Sequence, residues 1–500
     1  MTEHSFPFHK PHGNSLIWIL KGFASHRFHG TISLGSLTAV LALCAYLVTI
    51  APDITWSNFS SDGGELITAS VTLGIPHPPG YPTYILLGKL ISLLPAGTVA
   101  FRFNLFSALS ASVAAGFVSA TAFESLGGTK SARSVALATG ITFALAPLVW
   151  SQAVVTEVYA LNLALLAVFL CALLGQRSAV LTGLLLGLSI TTHLTSILML
   201  PMAIVLTTLG QRLRLITGVF LGLIPLLALP ILANQGSPIV WGNPTTIRGW
   251  LWLISGQLYK ANLRPPESTY FLNRLSSWGK VILGQFAFLG WLFVVIGIAV
   301  DRQGTRRMVW LLSTAALYML FSFAYGTSDS ILFLMPTLLL ISPVLAAGLS
   351  RVGRWSLLLP LVLLLLNFNQ QNLREEQLVR PLVEGFLSEL PQEAILLTPG
   401  DQSIFTLWYF KHVEGQRPDL LLVDSNLLAF DWYRDRLKLQ YPELEGLNND
   451  DLELFQTLNA KVRPFCTGSL LSPEAIDCHR SLESKSFDYE LSFRMARGKR

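Results

Sequence analysis

Two acidic side chains in the stretch SSDGGELITASVTLGIPHPPGYPT, residues 60–83, have a spacing that suits chemistry. Asp62 and Glu65 lie three residues apart, just before the segment HPPGYP at 77–82. A carboxylate can take a proton from an attacking hydroxyl, and two carboxylates can hold a divalent ion through their oxygens. The same spacing occurs in a helix capping box, where both side chains satisfy free backbone N–H groups. From spacing alone, both interpretations stand.

The glycines and prolines around the two acids predict the local chain geometry. Gly63 and Gly64 weaken the capping interpretation, because two glycines in a first turn cost helix stability. They suit a loop in which a ligand approaches the backbone closely. The segment 77–82 cannot be helical, since each proline favours extended geometry in the residue before it. A short helix is predicted to resume over 84–94, along the membrane surface.

The composition predicts a membrane protein. Of the 500 residues, 52% are hydrophobic and only 13% are charged, whereas a soluble domain carries about 25% charged residues. The formal net charge is +5, but Lys and Arg are scattered in small clusters between apolar runs. They form no continuous basic face, so no nucleic-acid partner is expected.

Apolar runs long enough to cross a bilayer, at about 20 residues each and fewer inside a bundle, divide the first three quarters of the chain. The sequence therefore predicts an α-helical polytopic membrane protein of about eleven transmembrane helices. The pair over 178–209 can also be one long helix broken around His193 and Pro201. The candidate spans are 32–51, 101–123, 134–150, 156–175, 178–194, 195–209, 214–233, 284–300, 308–324, 330–349 and 355–367.

The distribution of basic residues predicts the orientation, since cytoplasmic loops hold the excess of Lys and Arg. With the N-terminus inside, the short basic loops all fall on the cytoplasmic side. The predicted organisation is a cytoplasmic tail over 1–30, a multi-pass domain over 31–368 and a non-cytoplasmic soluble domain over 369–500. Two external loops, 52–99 and 234–283, then face the same side as the soluble domain. The basic positions are Lys10, Lys21, Arg27, Lys130, Arg133, Arg177, Arg212, Arg214, Arg302, Arg306, Arg307, Arg351 and Arg354.

The last part of the chain has the pattern of a soluble α/β module. Strand-length apolar runs at 394–398 and 419–423 alternate with helical patterns at 402–412 and 431–439. The module carries Cys466 and Cys478. Outside the cytoplasm two such cysteines can pair, so a disulfide is predicted between them.

Several blocks of the sequence, in the same order, resemble a family of multi-pass proteins related to the protein O-mannosyltransferases. The soluble part from 396 to 433 is similar to that of the family as well, so the resemblance covers most of the chain. Several blocks in register are far more specific than any single motif. The blocks in the membrane part are DGGELITASVTLGIPHPPGYPTYILLGKLISLLP from 62, AFRFNLFSAL from 100, WSQAVVTEVYALN from 150, GLSITTHLTSILMLP from 187, WGNPTTIRGWLWLISGQLY from 241 and SDSILFLMPTLLL from 328.

The resemblance implies a glycosyltransferase of the C superfamily fold, in a bacterial-type member located in the inner membrane. Such an enzyme moves mannose or a related hexose from a polyprenyl-phosphate donor to an acceptor hydroxyl on a protein, glycan or lipid. The catalytic carboxylate of the first external loop falls on Asp62, with Glu65 as its helper. In an inverting transfer Asp62 would act as general base. Metal-dependent and metal-free versions of this site both remain open.

Further residues are assigned to donor or substrate binding, most of them with a structural alternative. A leaving phosphate needs positive charge, while polar residues at membrane depth are functional hypotheses by default. As alternatives, the basic residues can be interfacial anchors, Glu157 and Asp329 can be helix caps, and His193 can bond to neighbouring threonines. The assigned residues are His77, Tyr81, Arg102, Glu157, His193, Arg248, Lys260, Arg264 and Asp329.

Two other classes of function compete with the transferase. In a multi-pass transporter, Glu157 and His193 would form a polar relay; transporters often show internal repeats, and no repeat between the two halves is evident. In a non-catalytic membrane-anchored binding protein, the external module would bind a partner. An anchor alone has no need of about eleven spans with polar windows between them.

Overall fold

The computed structural model describes residues 26–264, 268–300, 305–448 and 450–479. Most of the predicted N-terminal tail and the basic C-terminal segment lie outside the described residues, as does Arg302. The described chain is mostly helical, with one small sheet near its C-terminal end.

The membrane part is a bundle of apolar helices. In chain order they are α1 (His26–Thr49), two short helices of the first external loop, α2 (Gly63–Thr72) and α3 (Pro82–Ser92), then α4 (Val99–Ser125), α5 (Ala132–Ala144), α6 (Pro147–Ala153), α7 (Val158–Leu174), α8 (Ala179–Thr192), α9 (Leu200–Leu206), α10 (Arg212–Gly222) and α11 (Ala228–Leu232).

The second external loop and the later helices follow. They are α12 (Ile247–Ile254), α13 (Ser268–Gly284), α14 (Leu289–Val300), α15 (Thr305–Ala324), α16 (Met335–Leu349) and α17 (Leu358–Gln371). Short 3₁₀ segments lie between helices at Ser57–Asp62, Leu194–Met199, Leu209–Gln211, Ile224–Leu227, Gln257–Asn262, Ser328–Leu334 and Gly353–Leu357.

Every predicted span overlaps one or more of these helices, but helix length alone does not yield eleven crossings. Among the described residues, five helical stretches are long and apolar enough to cross a membrane, or up to seven if each of two bent pairs is one span. The bent pairs turn by 66° between α5 and α6 and by 81° between α13 and α14. The exact number of crossings therefore stays a prediction.

Glycines let α8 and α10 pack closely, and so fix the position of His193 at the end of α8. A Cβ atom built on Gly183 would lie 2.0 Å from the carbonyl oxygen of Leu215, and one on Gly222 would lie 2.3 Å from that of Leu184. Small residues four apart allow such contact between membrane helices. The helix then ends at His193, whose backbone is extended. This break fits both the pair of spans and the single broken helix predicted over 178–209.

The C-terminal module is an α/β unit with helices α18 (Val379–Glu389), α19 (Asp401–His412), α20 (Asp431–Gln440) and α21 (Leu452–Asn459), and a 3₁₀ turn at Leu427–Ala429. Its sheet has the order β2-β1-β3-β4, with β1 (Ile395–Thr398), β2 (Leu421–Asp424), β3 (Phe465–Ser469) and β4 (Ser472–His479). β1 pairs in parallel with β2 and β3, while β4 runs antiparallel to β3. The predicted strands and helices are confirmed to within a few residues.

The module shares a hydrophobic core with the loops 52–99 and 234–283, the two loops that are predicted to be external. One cluster of buried side chains includes Ile67 and Tyr84 from the first loop, Trp241 from the second and Phe405 and Phe410 from α19. Burial of apolar area contributes about 25 cal/mol per Å². The module is thus packed onto the end of the bundle that carries these two loops.

An ion-pair network reinforces this docking. The guanidinium of Arg380 in α18 lies 2.5 Å from a carboxylate oxygen of Asp53 and also bonds both oxygens of Glu414, at 2.7 and 2.5 Å. Arg436 donates to the carbonyl oxygen of Ser237 in the second loop. These bonds connect the module with both external loops.

Candidate active site

Asp62 stands at the start of α2 but does not cap it. Its side chain makes no capping hydrogen bond; the bond recorded for its carboxylate comes from the hydroxyl of Ser61, at 3.2 Å. The side chain is 30% exposed, so it keeps access to a ligand. The capping-box interpretation of the spacing is therefore wrong for Asp62.

Glu65 turns in the opposite direction, into the protein. It is fully buried, and its carboxylate accepts a hydrogen bond from the indole N–H of Trp241 at 2.5 Å. The backbone N–H of His77 donates to both of its oxygens at 3.3 Å. Nδ1 of the same histidine lies 2.5 Å from Oε2. Burial raises the pKa of the Glu65 carboxyl, while the charge and the hydrogen bonds of His77 oppose that rise.

His77 connects the two acids. Its Nε2 lies 2.9 Å from the hydroxyl of Tyr81 and 3.7 Å from Oδ2 of Asp62. Burial lowers the pKa of His77, but the charges of Glu65 and Asp62 outweigh that effect and raise the pKa to about 9. The ring is therefore an imidazolium at neutral pH, with both nitrogens acting as donors.

The charge of this imidazolium acts on Asp62. Removal of the Asp62 carboxyl from bulk water raises its pKa to about 6, while His77 opposes the rise. A carboxyl with a pKa just below neutral is ionised at pH 7 and still basic enough to accept a proton. This is the range that favours general-base catalysis.

Aromatic side chains from three parts of the chain surround His77. The ring of Phe405 in α19 is stacked parallel to it, with centroids 6.2 Å apart, and Tyr259 in the second loop meets it edge-on at 6.0 Å. Trp241 is positioned by the pairing of its backbone with Ile75, with a hydrogen bond of 3.1 Å. The C-terminal module therefore forms part of the wall of the site.

The structural reason for a glycine at position 64 differs from the predicted one. A Cβ atom on it would lie 2.4 Å from the carbonyl oxygen of Phe405, so the glycine lets the backbone of α19 approach α2. Nearby, the indole N–H of Trp56 donates to the hydroxyl of Thr406 at 2.9 Å. The close approach is made by the chain itself rather than by a ligand.

A second polar group adjoins the first through Tyr81. The ring of Tyr81 is stacked on His193 with centroids 6.4 Å apart, and His193 contacts the ring of Tyr159 at 5.2 Å. The hydroxyl of Tyr159 donates to Asp329 at 3.1 Å. The structure thus brings Asp62, Glu65, His77, Tyr81, His193 and Asp329 into one contiguous group.

Glu157 borders this group but makes only a local bond. It is buried at the start of α7, where one carboxylate oxygen accepts from the N–H of Val158 at 3.3 Å. Nδ1 of His193 bonds to the hydroxyl of Thr195 at 2.7 Å. Both structural alternatives are thus present. No bond between Glu157 and His193 occurs among the described contacts, as a direct relay would need.

The predicted basic residues divide into two sets. Arg102 donates to the carbonyl oxygens of Ala96, Ser92 and Gly97 at 2.6 to 3.2 Å, so it holds the turn after α3. The other set, Arg248, Lys260 and Arg264, lies exposed on the second external loop. Lys260 follows Tyr259 directly, which places it beside the wall of the site.

Two residues beside the site were not predicted. Arg274 in α13 donates to the hydroxyl of Ser330, next to Asp329, at 3.1 Å. Asp401, at the start of α19, interacts electrostatically with Glu65 and His77. The residues next to them in the sequence form no motif that would indicate a role in the site.

The geometry does not fit a metal ion held between Asp62 and Glu65, because the two nitrogens of the His77 ring face the two carboxylates, at 2.5 Å from Glu65 and 3.7 Å from Asp62. Within residues 26–264, 268–300, 305–448 and 450–479, no group of three or more His, Cys, Asp and Glu side chains converges as metal ligands do. In the module, the sulfur atoms of Cys466 and Cys478 are bonded, and so join β3 to β4.

The fold has a counterpart among solved membrane proteins. The structure is similar to the crystal structure of ArnT from Cupriavidus metallidurans bound to undecaprenyl phosphate, with a TM-score of 0.56. The similarity covers 86% of this chain and 92% of ArnT, at 15% sequence identity. The predicted fold, an α-helical multi-pass membrane protein with a C-terminal α/β module, is confirmed.

The sequence is similar to those of protein O-mannosyl-transferases, as its sequence blocks indicated. Residues 62–215 match the family model of the protein O-mannosyl-transferase TMEM260 N-terminal domain, and residues 379–450 match TMEM260-associated domain 2. The chain is 28% identical to protein O-mannosyl-transferase TMEM260 of Mus musculus and 22% identical to that of Dictyostelium discoideum, over 81% of its length in each case. It spans 64% and 58% of these two relatives.

Proposed function

We propose that the protein is a membrane glycosyltransferase that moves mannose or a related hexose from a polyprenyl-phosphate donor to an acceptor hydroxyl. The observation that carries this proposal is the arrangement of Asp62: its carboxylate is free of the helix cap, partly exposed and 3.7 Å from the His77 imidazolium. The relatives named as O-mannosyl-transferases support the reaction class. The lipid phosphate bound to ArnT supports the donor class.

In the proposed reaction, Asp62 takes the proton of the acceptor hydroxyl. The oxygen attacks the anomeric carbon, a new C–O bond forms, and the bond from that carbon to the phosphate oxygen breaks. Inversion at the anomeric carbon follows from attack opposite to the leaving group. The lipid phosphate leaves with the electron pair of the broken bond, and positive charge stabilises it.

Glu65 has a supporting role in this mechanism instead of sharing the proton transfer. It fixes the orientation and charge of His77, and the imidazolium keeps Asp62 ionised before the acceptor binds. For the leaving phosphate, Lys260 and Arg264 are the preferred candidates, because their segment contributes Tyr259 to the wall of the site. Arg102 is less suited, since three of its N–H groups already bond to carbonyls.

The test is the substitution Asp62→Asn in the full chain, assayed in membranes with radiolabelled polyprenyl-phosphate mannose. We expect transfer to fall by about 10²- to 10⁴-fold, the range of a general base, while donor binding and the melting temperature stay near those of the wild type. A matched control is Glu124→Gln, at the other end of α4. Full transfer by the Asp62→Asn variant would refute the assignment of Asp62 as the general base. If the wild-type protein transferred no sugar, the proposed transferase activity would be refuted.

A further inference from the structure

A large cavity of the described structure lies far from Asp62. It has a volume of about 1060 Å³ and is lined by residues at the ends of α4, α7, α9, α14 and α16. The candidate active site adjoins the first turns of α4, because Asn104 bonds to Thr156, whose carbonyl accepts from Ser60. Glu124 lies about 30 Å further along that helix, at 1.5 Å per residue. The cavity therefore opens at the opposite end of the bundle.

Positive charge converges on this cavity from three separate parts of the chain. Its described lining includes the four arginines Arg212, Arg306, Arg307 and Arg351. The single acidic residue in that lining is Glu124, which is paired with Arg177 at 2.8 Å. The four guanidinium charges are thus not balanced by an acid of the described lining.

Two of these arginines are held in place by the protein. Arg306 donates to the carbonyl oxygen of Val205 at 3.1 Å, and Arg212 donates to that of Thr207 at 3.4 Å. Arg307 and Arg351 are exposed and take part in none of the described salt bridges. Two of the four arginine side chains are therefore already ordered before an anion binds.

Apolar side chains also line the cavity, with Val205, Leu206, Val300, Leu311 and Val344 among them. A cavity with a cationic side and an apolar side suits an amphiphile with an anionic head. Basic pockets between membrane helices bind the headgroups of anionic lipids, and guanidinium groups bind phosphate oxygens in pairs. A free phosphate would leave the apolar side exposed to water.

We propose that this cavity binds an anionic phospholipid of the leaflet opposite to the candidate active site. The phosphate lies among Arg306, Arg307 and Arg351, and an acyl chain lies along the apolar side. This lipid is separate from the sugar donor, so the proposal does not depend on the transferase activity.

The experiment measures the binding of a phosphatidylglycerol to the full chain in nanodiscs of phosphatidylcholine, by native mass spectrometry. For Arg307→Gln/Arg351→Gln we expect about 30-fold weaker binding, because each arginine near a membrane surface contributes about fivefold. The matched control is Arg354→Gln, an arginine of the same loop that stacks on Trp355 and is absent from the described cavity lining. Its binding should stay within twofold of wild type.

Three outcomes would overturn the proposal. Unchanged binding by the double variant would exclude the cavity, and an equal loss in Arg354→Gln would indicate general attraction to the surface. Competition by soluble glycerol phosphate at the same concentration as the lipid would indicate a phosphate site without a lipid. Equal melting temperatures of the variants keep the comparison valid.

Discussion

The buried carboxylate of Glu65 lies 2.5 Å from Nδ1 of His77, twelve positions further along the chain. This contact makes the second acid of the Asp62–Glu65 pair a support for a histidine, and the histidine in turn faces the first acid at 3.7 Å. His77 thus lies between the buried Glu65 and the partly exposed Asp62. This arrangement determines the effect expected of each substitution.

The Glu65–His77 contact should dominate the stability of the first external loop. Glu65→Gln leaves the imidazolium without its counter-charge, so the free energy of unfolding should fall by about 2 to 3 kcal/mol, the cost of a disrupted buried polar contact. His77→Gln should cost a similar amount, and the double variant should cost less than the sum because both remove one interaction. Thermal unfolding in detergent measures all three.

The matched control for this double-mutant cycle is the more exposed ion pair of Glu124 and Arg177, whose side chains are 28% and 47% exposed. Its removal should cost less than about 0.5 kcal/mol. Additive losses for Glu65 and His77 would contradict the coupling described here.

The pH dependence of transfer should have an acid limb. Asp62 must be ionised to accept a proton, so the rate should fall as the pH drops below about 6. Loss of the His77 proton above about pH 9 leaves Asp62 ionised, so this pair of groups predicts no second limb. Rate measurements between pH 5 and pH 10 in membranes, at saturating donor, test this shape.

Substitution of His77 should displace the acid limb in a defined direction. His77→Gln removes a positive charge that lowers the pKa of Asp62. The pKa of Asp62 then rises, so the acid limb should move to higher pH. A loss of activity at every pH with no displacement of the limb would mean that His77 acts only on the structure.

Gly64 should be intolerant of any side chain. Gly64→Ala places a methyl group 2.4 Å from the carbonyl oxygen of Phe405, which forces α2 and α19 apart. We expect a loss of about 1 to 3 kcal/mol in the free energy of unfolding, as for an overpacked core, with reduced transfer. The control is Gly210→Ala, where no atom lies within 4 Å. Equal melting temperatures for the two variants would contradict the close packing.

Arg380 should be needed for docking of the module. Arg380→Met leaves Asp53 and Glu414 without their shared partner, although their side chains are only 14% and 18% exposed. The expected loss is about 2 kcal/mol, since a partly buried carboxylate without its donor costs more than a surface pair. Limited proteolysis should then release a C-terminal fragment. Arg463→Met, from a more exposed pair with Glu443, should release none.

Much of the fold follows from local sequence patterns. Apolar runs marked every predicted span because bilayer thickness sets their length, and the alternation after residue 368 revealed β1, β2, α19 and α20. The strands β3 and β4 were not predicted, because β4 is largely exposed and has no apolar run.

The site was only partly predictable, because its key contacts are distant in sequence. Asp62 and Glu65 were recognised from their motif, but the direction of Glu65 depends on Trp241, 176 positions away. The role of Gly64 depends on Phe405, which belongs to another part of the fold. Spacing alone could not distinguish a cap from a free carboxylate, since both place an Asp at a helix start.

The bond between Trp56 and Thr406 joins positions 350 residues apart, and this separation has a consequence for the biosynthesis of the protein. Asp62 is made early, yet part of the wall around it comes from α19 in the C-terminal module, which is made after the described membrane helices. A nascent chain that has inserted those helices would still lack Phe405 beside His77. The candidate site is therefore completed only after the module has been made and has docked.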